Sequence, residues 1–412
     1  MPLIRLAFIT RYPPNGKASG WRAAPAVMPF LPSLLWANAP AKRLCACHPC
    51  QRGFSHQEAC HRGGFRLKCL CRGPRARWPS HMSTSGTHRL SRIRVREAGG
   101  PCASMVLSLQ AMLEAYGRQV ELWELGAVTG NAVMVTYAPA APAKERWNVY
   151  GRHAFLEQAA RAYGLLLREL HPPSAAPVPN TPPEFAGHFR DSYQPFIEVA
   201  VSRDEPVLAW MGWPPPQAAI WGVITGIDPA SKACYGQTMY SRGKPVPLAG
   251  PPVQVYVVQE YVPQSGAPLL IDAVLERAAI VLNNKLDASF GVVTGPAAIR
   301  KWREVLVSRE ASADDAALPC SLHVQMAQAV VDARQAAIMF FHSRRATASP
   351  AQQRVMDAYT SLFHEMVSLL KPFTSEEVLQ AESESEQRRG ELADTLGLVA
   401  AIEERAAAVA VP

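Results

Sequence analysis

The chain has 412 residues, of which 48% are hydrophobic, and its formal net charge is +8. This length allows two or three domains with a sizeable core, and no apolar stretch reaches the roughly 18 to 20 residues of a membrane-spanning helix. Residues 1–81 hold 13 of the 42 Lys and Arg residues and one of the 34 acidic residues. The rest of the chain is therefore slightly acidic, which gives no support to nucleic-acid binding by the main body.

Residues 1–81 are predicted to be a disordered extension, or sequence upstream of a true start at Met82, because they show no helix or strand period. Two alternatives stay open. Cys47-x-x-Cys50 is one ligand pair of a zinc site, although the cysteines after it are not spaced as a second pair. The apolar residues 23–36 resemble a secretory signal that two prolines interrupt.

The cysteines divide in the same way as the charges. Six of the nine lie within residues 45–71, and the other three, Cys102, Cys234 and Cys320, are scattered. Lone cysteines are typical of a reducing compartment rather than of a disulfide framework, so we expect a cytoplasmic protein.

A helix is predicted directly after Cys102. Apolar residues recur at spacings of three, four and three, at Val106, Leu109, Leu113 and Tyr116. This is the pattern of one face of an amphipathic helix, and Gly117 is its expected C-terminal cap. Cys102 then lies at the N-terminal end of the helix, either as a nucleophile or as a small buried residue.

Further helices and then strands follow. VELWELG predicts a short helix, RHAFLEQAARAYG a helix that buries Phe155 and Ala159, LLLREL a strand, and the Pro-rich residues 171–183 a loop. EPVLAWMGW, IWGVITGID, ACYGQTMY and VQVYVVQEY predict short antiparallel strands. Helices before an antiparallel sheet predict an α+β domain over residues 90–265.

Two stretches of this domain resemble a known family. CASMVLSLQAMLEAYGRQVELWELGAVTG is similar to the opening of the butirosin biosynthesis protein H N-terminal family, and PVLAWMGW with IWGVITGID is similar to its sheet and to that of bacteriocin-processing cysteine peptidases. The resemblance covers about residues 90–262. It implies a papain-like cysteine-peptidase-type fold and a cysteine that transfers an acyl group, or a peptidase-like relative of that chemistry.

The resemblance implies specific site residues. Cys102 matches the nucleophile, and the dipole and N–H groups of a helix N-terminus lower the pKa of a cysteine there. Aligning Trp221 and Thr225 with the peptidase strand puts Ile220 at the position of the catalytic His, so the usual base is missing. Asp228 lies near the place of the orienting acid.

Three histidines are the alternative bases if the fold brings one of them to Cys102: His153, His171 and His188. The last two are expected at the surface, in or after the Pro-rich loop. Trp213, Trp221 and Thr225 are candidate binding residues, as walls of a cleft or as core. No HExxH motif or close acidic cluster predicts a metal site, and we expect no cofactor.

Residues 268–412 show helical periodicity almost throughout and predict five helices, packed as an α-helical bundle region. Ser349, Pro350 and Gln352 predict one helix start with a capping box, and Thr374 with Glu377 predicts another.

The sequence supports two main hypotheses. The first is a cysteine-dependent acyltransferase or amide-bond enzyme acting on a small molecule, a peptide or an acyl-carrier substrate. The second is a catalytically inactive papain-like module that binds a peptide, a carrier protein or a metabolite, as Ile220 would suggest. A third makes residues 268–412 an oligomerisation or scaffold unit, but the sequence does not set the oligomeric state.

Overall fold

The computed structural model describes residues 4–8, 24–28, 88–90, 92–97, 104–139, 141, 146–147, 153–170, 182–215, 220–264, 270–307, 320–375 and 386–409. Residues Met1–Pro32 and Thr87–Pro412 form one compact unit. The second unit, Ser33–Gly86, lies outside the described residues, as does Cys102. The prediction that residues 1–81 are an extension stays a prediction, although two strands pair within them.

The fold is mixed helix and antiparallel sheet, so the α+β prediction is confirmed. The strands, in chain order, are β1 (Ile4–Phe8), β2 (Ala24–Met28), β3 (His88–Arg89), β4 (Thr136–Tyr137), β5 (Leu165–Glu169), β6 (Val207–Trp210), β7 (Trp221–Ile227), β8 (Cys234–Thr238), β9 (Val246–Pro247), β10 (Gln254–Tyr261) and β11 (Val293–Thr294). The α-helices are α1 (Ser104–Ala115), α2 (Leu122–Val128), α3 (Leu156–Ala162), α4 (Pro182–His188), α5 (Gln194–Ser202), α6 (Ile271–Leu282), α7 (Gly295–Val307), α8 (Cys320–Arg344), α9 (Pro350–Leu370) and α10 (Glu386–Ala407).

The main sheet has the order β5-β10-β6-β7-β8-β9, with β3 beside β7, and all its pairings are antiparallel. Because alternate residues of a strand point to opposite faces, the sheet has two apolar sides. Leu208, Trp210 and Val223 belong to the larger core cluster, with the buried residues of α1 and α3. Val207 and Ala209 belong to a smaller cluster, with residues of α5.

Helix α1 differs from its prediction in one respect. The helix itself and its glycine cap are confirmed, since it ends at Ala115 and Gly117 has a φ of 77°. However, every residue from Ser104 to Leu113 is buried, so the expected amphipathic pattern is wrong. Polar residues of this helix are therefore inside the protein, which makes their hydrogen bonds informative about the site.

The segment from α4 to α5 was not predicted as helix. A π-helical turn, Phe189–Tyr193, joins the two helices, and a proline lies in the first turn of α5, where the missing N–H costs nothing. Tyr193, Ile197 and Val201 cover the side of the sheet opposite α1.

The C-terminal helices α6 to α10 lie where the periodicity predicted them. The capping box at Ser349 is present, whereas Glu377 of the other predicted box lies outside the described residues. The core continues across the predicted domain boundary near residues 265–268, because Leu275, Trp302 and Phe340 belong to the same cluster as α1. The pairing of β11 with β4 crosses that boundary as well.

Candidate functional site

A row of three polar-tipped side chains crosses the main sheet on the side of α1. Trp221 of β7 pairs with Trp210 of β6, which pairs with Gln254 of β10. The Trp221 ring lies 6.3 Å from the Trp210 ring and 6.1 Å from the ring of Tyr256, two residues along β10. These three rings form an aromatic cluster at one end of the sheet.

The first turn of α1 is hydrogen-bonded to the backbone beside this aromatic cluster. The backbone N–H of Trp221 donates a hydrogen bond of 3.2 Å to the Oγ of Ser104, and both residues are buried. The start of α1 is therefore held at the start of β7. Cys102 lies outside the described residues, two positions before Ser104 in the chain.

His153 lies at the same end of the sheet, just before α3. Its ring is 5.8 Å from the Trp221 ring and 5.2 Å from the ring of Phe290, which approaches from the C-terminal region. The Nε2 atom of His153 is 3.1 Å from the Nε2 atom of Gln254. Of the three histidines considered from the sequence, the structure thus brings His153 to the neighbourhood of Trp221.

The other two histidines do not join this group. His171 lies outside the described residues. His188 is 3.3 Å from the Ser192 hydroxyl and stacks edge-on with Tyr193, a residue of the cluster on the opposite face of the sheet. It is half-buried, whereas the sequence predicted a surface position.

Glu169 completes the polar part of the site. The Tyr256 hydroxyl donates to Glu169 Oε2 at 3.2 Å, and Gln254 Nε2 donates to Glu169 Oε1 at 3.4 Å. Burial, and next the negative charge of Glu169, raise the pKa of Tyr256, so this phenol stays protonated and remains a donor. A chain of hydrogen bonds therefore runs from Tyr256 through Glu169 and Gln254 to His153.

The environment favours an uncharged His153. Burial lowers the pKa of His153 to about 4, while the carboxylate of Glu169 acts in the opposite direction. At neutral pH the ring is neutral, and a neutral imidazole has one donor and one acceptor nitrogen. Which nitrogen carries the hydrogen depends on the group that Gln254 turns toward Nε2, since an amide nitrogen donates and an amide oxygen accepts.

Ile220 does not point toward α1. It packs in the smaller cluster, on the side of α5, whereas the next residue, Trp221, packs on the side of α1. The alternation of side chains along a strand explains this, because neighbouring residues face opposite ways. A histidine in place of Ile220 would therefore also face away from α1.

Asp228 lies at the far end of β7 from Trp221. Seven strand residues separate the two ends by roughly 20 Å. The Oδ1 of Asp228 accepts from the backbone N–H of Ala230 at 2.9 Å, and this bond, followed by one from the Ser231 hydroxyl, lowers the pKa of Asp228. Its carboxylate thus stabilises a turn, away from the group around His153.

Trp213 and Thr225 are both buried but stand apart from His153. Trp213 packs on the side of the sheet that the smaller cluster covers. Two glycines of neighbouring strands, Gly222 and Gly236, leave room there for its ring. Thr225 is fully buried, and its carbonyl accepts from the N–H of Leu90. Of the three predicted binding residues, Trp221 is therefore the one beside the polar group.

Within the described residues, no group of three or more His, Cys, Asp or Glu side chains is arranged to hold a metal ion. None of the helices in that part of the chain has the length and apolar content needed to cross a membrane. No known protein family matches the chain, and no curated protein matches it either.

Proposed function

We propose that the chain is a cysteine-dependent enzyme of acyl transfer or amide-bond chemistry, in which Cys102 is the nucleophile and His153 is its partner imidazole. The hydrogen bond from Trp221 to Ser104 carries this proposal, because it holds the start of α1 beside the strand end that His153 contacts. Cys102 precedes Ser104 by two residues, a length of chain of at most about 7 Å, and this short span is the basis for pairing it with that strand end in the proposal.

The chemistry requires few groups. The Cys102 thiol gives its proton to His153, the thiolate attacks the carbonyl carbon of an acyl donor, and the imidazolium gives the proton to the departing leaving group, so that a thioester remains on the sulfur. An amine or a water molecule then loses a proton to His153 as it attacks the thioester, the acyl product departs, and the sulfur takes the proton back. The resemblance to butirosin biosynthesis protein H supports a carrier-bound acyl group or a peptide as the donor. A free thiol nucleophile persists in a reducing compartment such as the cytoplasm.

Three features support a papain-like arrangement for residues 90–265. A helix begins directly after the cysteine, an antiparallel sheet follows later in the chain, and the helix packs on that sheet with its first turn at a strand end. We propose His153, from the connection before α3, in place of the strand histidine of the peptidases. The helices after residue 268 are the proposed bundle region.

The test is the alkylation rate of Cys102 in the full-length protein. Trypsin cleavage after Arg96 and Arg118 releases a peptide in which Cys102 is the single cysteine, so mass spectrometry reads its modification by iodoacetamide directly. Cys234 is the internal reference, because burial raises the pKa of this thiol to about 12. Rates are measured from pH 5 to 9.

We expect Cys102 to react with an apparent pKa below the ordinary thiol value of about 8.5. His153→Ala should slow its reaction at pH 7 several-fold, since an imidazole beside the sulfur stabilises the thiolate, either as a hydrogen-bond donor or as an imidazolium. His188→Ala is the matched control and should leave the rate unchanged. An ordinary thiol profile in all three proteins would contradict the proposal.

The second candidate is a binding module without catalysis. It is favoured by one observation, the amide of Gln254 that occupies the acceptor nitrogen of His153. If Cys102→Ala retains the cellular phenotype of the gene while Trp221→Ala abolishes it, this candidate replaces the first.

A further inference from the structure

The geometry points to Glu169 as a positioning residue for His153, which acts through the side-chain amide of Gln254 and fixes the nitrogen that carries the imidazole proton. This inference rests on the proposed function for its consequence at Cys102, but its contacts are independent of Cys102. It gives a role to a polar group that the sequence did not single out.

The carboxylate of Glu169 fixes the orientation of the Gln254 side-chain amide. An ionised carboxylate accepts hydrogen bonds and cannot donate one. Glu169 Oε2 accepts from the Tyr256 hydroxyl, and Oε1 faces the Gln254 side chain at 3.4 Å. Gln254 must therefore turn its NH₂ group, not its carbonyl oxygen, toward Glu169.

The orientation of the Gln254 amide in turn fixes the tautomer of His153. The same NH₂ group of Gln254 is 3.1 Å from His153 Nε2, so it has one hydrogen for each partner. His153 Nε2 then has to be the nitrogen without hydrogen, and Nδ1 carries it. Because Nδ1 already holds a proton, it can donate a hydrogen bond but cannot take the proton of a thiol.

The Gln254 amide has one alternative orientation, in which its oxygen and nitrogen exchange places. Gln254 Oε1 is buried and has no hydrogen-bond partner within the described part of the chain, so the contact with Glu169 is the one that selects between the two amide orientations. If the amide turns over, its oxygen accepts from Nε2–H and leaves Nδ1 free. On the proposed function, the Cys102 thiol proton can then move to Nδ1, which gives a thiolate and an imidazolium whose Nε2–H is bound by the amide oxygen.

The state held by Glu169 is therefore a resting state of the site, in which His153 is a donor rather than a base. Neutralising the carboxylate should release the amide and free Nδ1 as the acceptor nitrogen, while it also removes the charge that raises the pKa of His153. Glu169 thus sets which nitrogen of His153 can accept the proton of the proposed nucleophile.

The experiment reads the tautomer directly by ¹⁵N NMR of full-length protein labelled on histidine, at pH 7.5. Protonated and unprotonated ring nitrogens have well-separated shifts, and His153→Gln identifies the signals of this ring among the 11 histidines. The proteins compared are wild type, Glu169→Gln, Gln254→Leu and the double variant. Glu157→Gln is the control, because Glu157 acts electrostatically on Tyr256 as Glu169 does but is not the acceptor for Gln254.

We expect a protonated Nδ1 and an unprotonated Nε2 in wild type, and a shift of both signals toward their averaged positions in Glu169→Gln and in Gln254→Leu. The double variant should show no change beyond Gln254→Leu, because the effect of Glu169 passes through the amide. Signals that are the same in wild type and Glu169→Gln, or an equal change in Glu157→Gln, would overturn the inference.

Alkylation of Cys102 separates this inference from the proposed function. In Glu169→Gln we expect the rate at pH 7.5 to rise, because a free Nδ1 can take the thiol proton, and the accompanying loss of the Glu169 charge limits this rise. If the nitrogen signals shift as expected while the alkylation rate does not change, the positioning role of Glu169 stands and the catalytic role of His153 falls.

Discussion

Arg334 of α8 and Glu403 of α10 form an ion pair in which neither side chain is exposed to solvent. The guanidinium also donates to the carbonyl of Ala132, 2.9 Å away, and lies over the ring of Phe363 of α9. One charged side chain thus contacts two neighbouring helices and the short helical turn after α2. The pair stands where the C-terminal helices meet the α+β part of the core.

Breaking this pair should be far more costly than replacing it. Arg334→Met leaves a buried carboxylate without its partner, so we expect the free energy of unfolding to fall by about 3 to 5 kcal/mol. Arg334→Met with Glu403→Leu removes both charges and should lose much less than the sum of the single changes. Urea unfolding of the two single variants and the double variant measures this, and strictly additive losses would contradict it.

The Ser104 hydroxyl accepts the buried N–H of Trp221, and Ser104→Ala leaves that N–H without this acceptor. We expect the free energy of unfolding to fall by about 1 to 3 kcal/mol, the usual cost of an unsatisfied buried donor. Ser108→Ala is the matched control on the same helix, because its hydroxyl is buried and bonds to no described residue. Equal losses for the two variants in urea unfolding would count against the role of this hydrogen bond.

His153 should make the protein sensitive to acid. Its pKa is about 4 in the folded chain against an ordinary 6.5, so between these values the unfolded chain binds the proton more readily. Stability therefore falls as the pH decreases from 6.5 to 4, by up to about 3 kcal/mol from this residue. The difference in urea midpoint between wild type and His153→Gln across this range measures the effect.

Gly222 should not tolerate a side chain. A Cβ on Gly222 would lie 2.5 Å from Cζ2 of Trp213 and 2.7 Å from the carbonyl oxygen of Gln237. Because the Trp213 ring packs directly on the sheet at this glycine, we expect Gly222→Ala to lower the free energy of unfolding by about 1 to 3 kcal/mol. Gly250→Ala is the control, since a Cβ there meets no atom within 4 Å. Similar thermal midpoints for both variants would contradict this packing.

The elements of the fold were largely predictable because their signals are local. The apolar spacing after Cys102 predicted α1, and the capping box at Ser349 predicted the start of α9. The full burial of α1 was not predictable, because it depends on packing against β6 and β7, which come about a hundred residues later in the chain, and against α2. The helical segment α4–α5 was missed because Pro195 falls within it and reads as a break until its position in the first turn of α5 is known.

The site was less predictable because it depends on strand register. Trp221, Trp210 and Gln254 form a row only once β7, β6 and β10 are paired, and no local pattern fixes that pairing. The alignment puts the position of the catalytic histidine at Ile220, whose side chain lies on the side of the sheet away from α1. The side chain on the α1 side belongs to the next residue, Trp221. A step of one residue moves a strand side chain to the other side of a sheet. The contact of Glu169 with Gln254 likewise joins residues 85 positions apart.

Phe290 belongs to the region after residue 268, yet its ring packs edge-on against His153. A shortened chain that stops at residue 265 would lose this aromatic neighbour together with β11, the pairing partner of β4. Cutting the protein at the apparent domain border would thus open the site while removing part of its support. The two regions should be expressed together, and chimeras between them should be joined elsewhere.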